Sequence, residues 1–188
     1  MGRKIMHRIF KKNQILTIPN LLSLVRILLI PLILWMYYIK QAHVLTVGVI
    51  ILSGITDMID GYIARKYNMV SDFGKILDPI ADKLTQFSLL CCFVSKFRWI
   101  LPLMILFVVK EITMGILGLL ILNKKDSVNS AQWFGKLNTL ILYAVMVILF
   151  LFPNISETAV NALIILCAAT NLLAFIKYLL FNKKQLSN

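Results

Sequence analysis

Six apolar runs, each close to the length of a membrane span, constrain this chain more than any other feature of its sequence. An α-helix needs about 20 mostly apolar residues to cross the hydrocarbon core of a bilayer. Apolar residues make up 60% of the 188 positions, above the roughly 45–50% that is typical of soluble domains. The sequence therefore predicts an all-α integral membrane protein, with six transmembrane helices in a single domain over residues 1–188. The predicted spans are Leu21–Ile39, Val44–Ile63, Ile76–Val94, Ile100–Leu122, Trp133–Phe152 and Ala159–Phe181.

The net charge of +12 is distributed in a way that indicates membrane orientation rather than nucleic-acid binding. Lys and Arg gather before span one, between spans two and three, between spans four and five, and after span six. Such residues mark cytoplasmic loops, and basic flanks also attract anionic lipid headgroups. Residues 1–19 are predicted to form a basic, amphipathic juxtamembrane segment. We therefore expect both termini to be cytoplasmic, membrane lipids as partners and no nucleic acid.

The stretch TDMIDGYIARKYNMVSDFGKILDPIADKL, residues 56–84, holds five of the eight acidic residues of the chain. Residues three or four apart share one face of a helix, so the stretch predicts two stripes, one near the cytoplasmic end of span two and one entering span three. A loop of roughly ten residues would let the stripes face each other, so that four carboxylates converge. The first stripe is Asp57, Asp60, Gly61, Ala64 and Arg65, and the second is Gly74, Asp78 and Asp82.

Carboxylates gathered in a membrane protein need a balancing charge. An Asp at the bilayer centre costs about 2.5–3.5 kcal/mol, and neighbouring carboxylates repel one another. Arg65 supplies one positive charge. Hard divalent cations such as Mg²⁺ or Mn²⁺ prefer oxygen ligands, and two of them would neutralise four carboxylates as in two-metal phosphoryl-transfer sites. Helix capping or pairing with Lys is the alternative, and it accounts for one or two of the four Asp residues rather than for all.

The spacing Asp-x2-Asp-Gly-x2-Ala-Arg-x8-Gly-x3-Asp-x3-Asp, from Asp57 to Asp82, resembles the signature of the CDP-alcohol phosphotransferase family. The stretches TIPNLLSLVRILLIPLIL and GKILDPIADKL are similar to the first and third spans of its phosphatidylglycerophosphate synthase and cardiolipin synthase branch. The resemblance implies a six-helix enzyme, usually a homodimer, in which an acceptor hydroxyl displaces CMP from a CDP-linked lipid. It also implies phospholipid biosynthesis, and we expect a bacterial plasma membrane. The basic residues between spans two and three place the active site on the cytoplasmic side.

Carried over by position, the resemblance assigns the carboxylates to metal binding and one of them to proton transfer. Two ions, Mg²⁺ or Mn²⁺, would be shared by the cluster, and Asp82 would also act as the general base. No Ser, Cys or His stands beside the carboxylates as an activated nucleophile. Direct in-line attack on the β-phosphorus is therefore favoured over a covalent intermediate. The predicted metal ligands are Asp57, Asp60, Asp78 and Asp82.

Substrate binding is predicted for a further set of residues. Lys136, near the cytoplasmic end of span five, is expected to reach a soluble anionic acceptor, which favours glycerol 3-phosphate. Asn138 stands where synthases of this branch typically have a second Lys, so phosphatidylglycerol, the acceptor of a cardiolipin synthase, stays open. Three of the set, Gly61, Arg65 and Ser71, would contact the CDP moiety. The full set is Asn20, Gly61, Arg65, Ser71, Gly74 and Lys136.

Polar residues outside the motif leave one alternative of another class. Arg26 in span one and Lys110 with Glu111 in span four lie inside apolar runs, which suggests function or pairing. A structural ion pair between Lys110 and Glu111 is as reasonable as a role in acceptor binding. Such residues also mark ion paths, so a small membrane transporter or cation channel is the alternative. The clustering of the carboxylates at one membrane face, without an inverted repeat, favours the enzyme.

Overall fold

The computed structural model describes residues 17–67, 69, 71, 73–125 and 133–187. Within these ranges the chain forms six α-helices and no strand, which confirms the predicted all-α class. Of the predicted juxtamembrane segment, residues 1–16 lie outside the described part of the chain. The helices are α1 Ile18–Tyr38, α2 His43–Lys66, α3 Gly74–Val94, α4 Ile100–Lys125, α5 Trp133–Leu151 and α6 Glu157–Ser187.

Five of the described helices are long and apolar enough to cross a membrane, and α3 is not among them. The reason is charge, because Lys75, Asp78, Asp82 and Lys83 all lie in the first half of α3. The chain is thus a multi-pass membrane protein by the length and composition of its helices. That α3 also spans the membrane stays a prediction. The five candidates are α1, α2, α4, α5 and α6.

The chain divides into two compact units, the first ending at Cys92 and the second beginning at Phe93. In the first unit, residues 39–42 connect α1 to α2, and these two helices pack against each other. In the second unit, α6 packs against both α4 and α5. All four carboxylates of the predicted site belong to the first unit, whereas Lys136 belongs to the second.

The buried face of α1 is polar near the beginning of the helix and apolar near its end, and the polar part lies at the site. Asn20, Ser23 and Arg26 are buried near the beginning of the helix and Ile33 near its end. Their spacing of three or seven residues puts them on one face. The opposite face exposes leucines, as expected for a helix that faces lipid. The polar end of the buried face therefore forms one wall of the site.

Candidate functional site

Arg26 lies at the centre of the four carboxylates, with its two terminal nitrogens divided between two helices. Nη2 lies 2.6 Å from Asp57 Oδ1 and 2.6 Å from Asp60 Oδ2, both on α2. Nη1 lies 2.7 Å from Asp82 Oδ1 and 3.1 Å from Asp78 Oδ1, both on α3. The two stripes therefore converge as predicted, but around a cation that the sequence analysis did not place among them.

The cluster has a buried base and an open rim. The side chain of Arg26 is 1% exposed and that of Asp60 is 4% exposed. The side chains of Asp57, Asp78 and Asp82 are 39%, 44% and 33% exposed. A buried charge is tolerated only when it is paired, and Arg26 with Asp60 supplies that pairing at the base. The three rim carboxylates are the most exposed part of the cluster.

The donor set of the cluster fits a hard divalent cation. One carboxylate oxygen from each of Asp57, Asp60 and Asp78 lies within 4.8 Å of the others. Asp82 is not part of this group of three, and its Oδ1 lies 2.7 Å from Nη1 of Arg26. Carboxylate oxygens are the ligands that Mg²⁺ and Ca²⁺ prefer in proteins. The side chains of Asp57, Asp60 and Asp78 could therefore hold a metal ion together.

A cavity lies beside the cluster and is bordered by residues of α1, α2 and the start of α3. Asp60 and Asp78 give it an acidic wall, while Gly61 and Ala64 give it a wall of small side chains. The side chain of Arg65 lies outside the described residues, so its contact with the CDP moiety stays a prediction. The lining residues are Pro19, Asn20, Ser23, Asp60, Gly61, Ala64, Met69, Ser71, Gly74 and Asp78.

Asn20, Ser71 and Gly74 form one hydrogen-bonded corner of this cavity. Asn20 Nδ2 donates to Ser71 Oγ at 3.0 Å, and the backbone N–H of Gly74 donates to the same oxygen at 2.9 Å. A methyl group added at Gly74 would overlap Asn20 Oδ1. From the sequence, Gly74 is expected to belong to the substrate-binding set. In the structure, the space beside Gly74 is filled by Asn20, which braces Ser71.

The polar residues of the second unit are placed differently. Lys136 is exposed on α5, and Asn138, two residues further on, is buried. Lys110 Nζ lies 2.8 Å from Glu111 Oε1, and Lys110 is 4% exposed. The ion pair that the sequence analysis considered for these two residues is therefore formed. The role of Lys136 in acceptor binding stays a prediction.

The sequence contained a signal for Arg26. Asn20, Ser23 and Arg26 repeat every three residues inside an otherwise apolar run, which places three polar groups on one side of a span. Such a polar line indicates a helix that faces protein rather than lipid on that side. The polar residues of this span do not show which residues pair with Arg26, because its partners lie on two other helices.

Comparisons with known proteins place the chain in a family. The family model described as CDP-alcohol phosphatidyltransferase matches residues 16–176. A relative from Haemophilus influenzae, named CDP-diacylglycerol--glycerol-3-phosphate 3-phosphatidyltransferase, is 30% identical over 176 residues, which cover 90% of this chain and 95% of the relative. A relative of the same name from Aquifex aeolicus is 37% identical over 127 residues, 66% of this chain and 70% of the relative. One from Rickettsia typhi is 51% identical over 69 residues, which span only 39% of that relative's length.

Proposed function

Because the chain belongs to the CDP-alcohol phosphatidyltransferase family, we propose that it transfers a phosphatidyl group from CDP-diacylglycerol to an alcohol acceptor and releases CMP. One observation carries the proposal. Two carboxylates of α2 and two of α3 converge beside a cavity with a wall of small side chains. The proposed acceptor is glycerol 3-phosphate, which appears in the names of the relatives from Haemophilus influenzae and Aquifex aeolicus. The product would be phosphatidylglycerophosphate, an intermediate of phospholipid biosynthesis.

The four carboxylates would hold two divalent cations, Mg²⁺ or Mn²⁺. Bound there, the ions would supply Lewis-acid polarisation of the pyrophosphate and stabilise the charge of the departing CMP. The all-oxygen donor set and the grouping of three carboxylates within 4.8 Å support this assignment. The three carboxylates of the rim have the exposure that exchange of ions and substrate requires.

The residues of the chain itself would orient the lipid and move one proton. The acceptor oxygen forms a bond to the β-phosphorus as the bond between that phosphorus and the CMP oxygen breaks, roughly in line. Asp82, at the rim, would accept the proton that the acceptor hydroxyl loses. Gly61, Arg65 and Ser71 would contact the CDP moiety in the adjoining cavity. Direct displacement suits this site, because the lining residues include no Cys or His, and the two lining serines are hydrogen-bonded elsewhere, Ser23 to Pro19 O and Ser71 to Asn20.

Replacing Gly74 with Ala is expected to raise the KM for CDP-diacylglycerol about 10-fold, with a smaller change in kcat. The added methyl group would displace Asn20 and break its bond to Ser71, and one net hydrogen bond is worth about 0.5–1.5 kcal/mol. Steady-state kinetics at saturating acceptor measures the effect. Gly48→Ala on α2 is the matched control, because no described atom lies within 4 Å of the added group apart from its chain neighbours and the nearby backbone of its own helix. Equal KM values for the two variants would remove this corner from the lipid site.

Replacing Lys136 with Ala is expected to lower kcat/KM for glycerol 3-phosphate about 10- to 100-fold. A contact between an ammonium and a phosphate is worth roughly 1.5–3 kcal/mol, which corresponds to that range. The KM for CDP-diacylglycerol should barely change. Lys96→Ala is the control within the same unit, since Lys96 Nζ donates to Pro153 O at 3.0 Å and has no assigned substrate. Matching acceptor kinetics in the two variants would argue against a role for Lys136.

Product analysis distinguishes the proposed acceptor from its alternatives. The purified protein would be given labelled CDP-diacylglycerol together with glycerol 3-phosphate and phosphatidylglycerol, and the lipids would be separated by thin-layer chromatography. We expect labelled phosphatidylglycerophosphate as the first product. Labelled cardiolipin without phosphatidylglycerophosphate would identify a cardiolipin synthase instead.

The assembly and the orientation belong to the same proposal. We place the protein in a bacterial plasma membrane as a homodimer, with the active site and both termini on the cytoplasmic side. The five long apolar helices support the membrane placement. The basic residues that flank alternate ends of the predicted spans support the orientation.

A further inference from the structure

We propose that Arg26 is a positioning residue that serves as the internal counter-ion of the carboxylate cluster and competes with divalent cations for it. The inference rests on the metal site of the proposed function. Arg26 lies on α1, outside the Asp57 to Asp82 spacing that identifies the cluster. It nevertheless contacts all four carboxylates.

The shape of the guanidinium group explains how one side chain can serve two helices. It is planar, permanently charged and presents its donors in a fixed fork. Nη2 of Arg26 contacts the carboxylates of α2 and Nη1 contacts those of α3, and all four nitrogen–oxygen distances lie between 2.6 and 3.1 Å. With a side chain that is 1% exposed, Arg26 is enclosed by its surroundings in a position from which it reaches both pairs.

The carboxylates within each pair do not depend on Arg26 for their spacing. Asp57 and Asp60 are three residues apart on α2, and Asp78 and Asp82 are four apart on α3, so each helix holds its own pair on one face. Removing the guanidinium would leave the spacing within each pair unchanged. It would also free one oxygen on each carboxylate and remove a positive charge that repels cations.

Two opposite effects follow from replacing Arg26 with a neutral residue. Without added metal, the four negative charges lose their counter-ion, so the protein becomes less stable. With added metal, the carboxylates bind the cation more tightly, because an internal competitor is gone. Arg26 thus keeps the cluster assembled and limits how tightly it retains its ions.

Thermal unfolding of the purified protein in detergent tests this pair of effects. Each protein is purified in Mg²⁺, exchanged into EDTA and then titrated with Mg²⁺, and the metal concentration that gives half of the maximal rise in Tm is recorded. The set comprises the wild type, Arg26→Gln, Arg26→Lys and the control Ile33→Ala. Ile33 is fully buried on the same face of α1, two turns further along and outside the cluster.

We expect Arg26→Gln to unfold at a lower temperature than wild type in EDTA and to reach half-stabilisation at a Mg²⁺ concentration about fivefold lower or more, the lower end of typical couplings between sites. Arg26→Lys should shift in the same direction by less, because one ammonium cannot pair with both helices. It provides the measurement if Arg26→Gln does not survive purification. Ile33→Ala should lower the Tm equally with and without Mg²⁺ and keep the wild-type midpoint.

The possible results distinguish the role of Arg26 from the metal site of the proposed function. Mg²⁺ midpoints in the Arg26 variants that equal or exceed the wild-type value would overturn the role of Arg26 and leave the metal site standing. Failure of Mg²⁺ and Mn²⁺ to stabilise the wild type and Ile33→Ala would overturn the metal site and the inference together. A Tm loss in the Arg26 variants that is the same in EDTA and in Mg²⁺ would show that Arg26 only fills space.

Discussion

Replacing Asp57 or Asp78 with Asn is expected to lower CMP release by more than about 100-fold while the protein remains folded. Loss of a residue that merely supports a metal ligand costs about 10- to 100-fold, and each of these changes removes a ligand itself. Both side chains lie on the rim, 39% and 44% exposed. An amide there is not buried without partners, so the free energy of unfolding should change little.

The test compares CMP release and thermal stability in the same preparations. Glu157→Gln is the control for loss of a carboxylate, because Glu157 begins α6 in the other unit of the chain. It should retain wild-type activity. Retention of most activity by Asp57→Asn or Asp78→Asn, at unchanged stability, would contradict the two-metal model. An unfolded variant would instead contradict the exposed position of Asp57 and Asp78 at the rim.

Replacing Asp82 with Asn is expected to lower kcat by about 10²- to 10⁴-fold, the usual contribution of a general base. Asp82 is assigned two roles, metal binding and proton transfer. The response of the variants to added Mg²⁺ distinguishes between these roles. The defect of Asp57→Asn should be partly restored by raising the Mg²⁺ concentration, because weaker binding is overcome by mass action. The defect of Asp82→Asn should persist, because an amide cannot accept the hydroxyl proton.

The comparison requires activity measured over the same range of Mg²⁺ for both variants. A persistent loss of kcat in Asp82→Asn at saturating Mg²⁺ supports proton transfer by this side chain. Recovery of Asp82→Asn in parallel with Asp57→Asn would show that Asp82 is a metal ligand and that the proton leaves by another route.

Periodicity in the sequence predicted the fold and the carboxylate cluster because both depend on spacing along single helices. The predicted span Leu21–Ile39 corresponds to α1, Ile18–Tyr38, and Ile76–Val94 corresponds to α3, Gly74–Val94. Three of these four ends differ by one to three residues, and the fourth, Val94, coincides. Both helices begin earlier than predicted, since residues such as Asn20 and Gly74 continue a helix beyond its apolar run. The convergence of the two Asp pairs likewise follows from intervals of three and four residues.

What the sequence could not supply depends on contacts between helices. The sequence shows Arg26 as a polar residue inside a span, which suggests function or pairing, but it assigns the balancing charge to Arg65 and two divalent cations. The packing of α1 brings Arg26 to carboxylates on two other helices instead. Gly74 is a second example. The space beside a glycine can be occupied either by substrate or by another side chain of the protein. Beside Gly74 it is occupied by Asn20.

Release of CMP from CDP-diacylglycerol by the purified protein tests the central claim most directly. We predict CMP release that requires both glycerol 3-phosphate and Mg²⁺ or Mn²⁺, stops on addition of EDTA and is lost in Asp57→Asn. The same preparation, reconstituted into liposomes, would be assayed for movement of cations across the bilayer. Cation movement without any CMP release would contradict the account and identify the carboxylate cluster as part of an ion path.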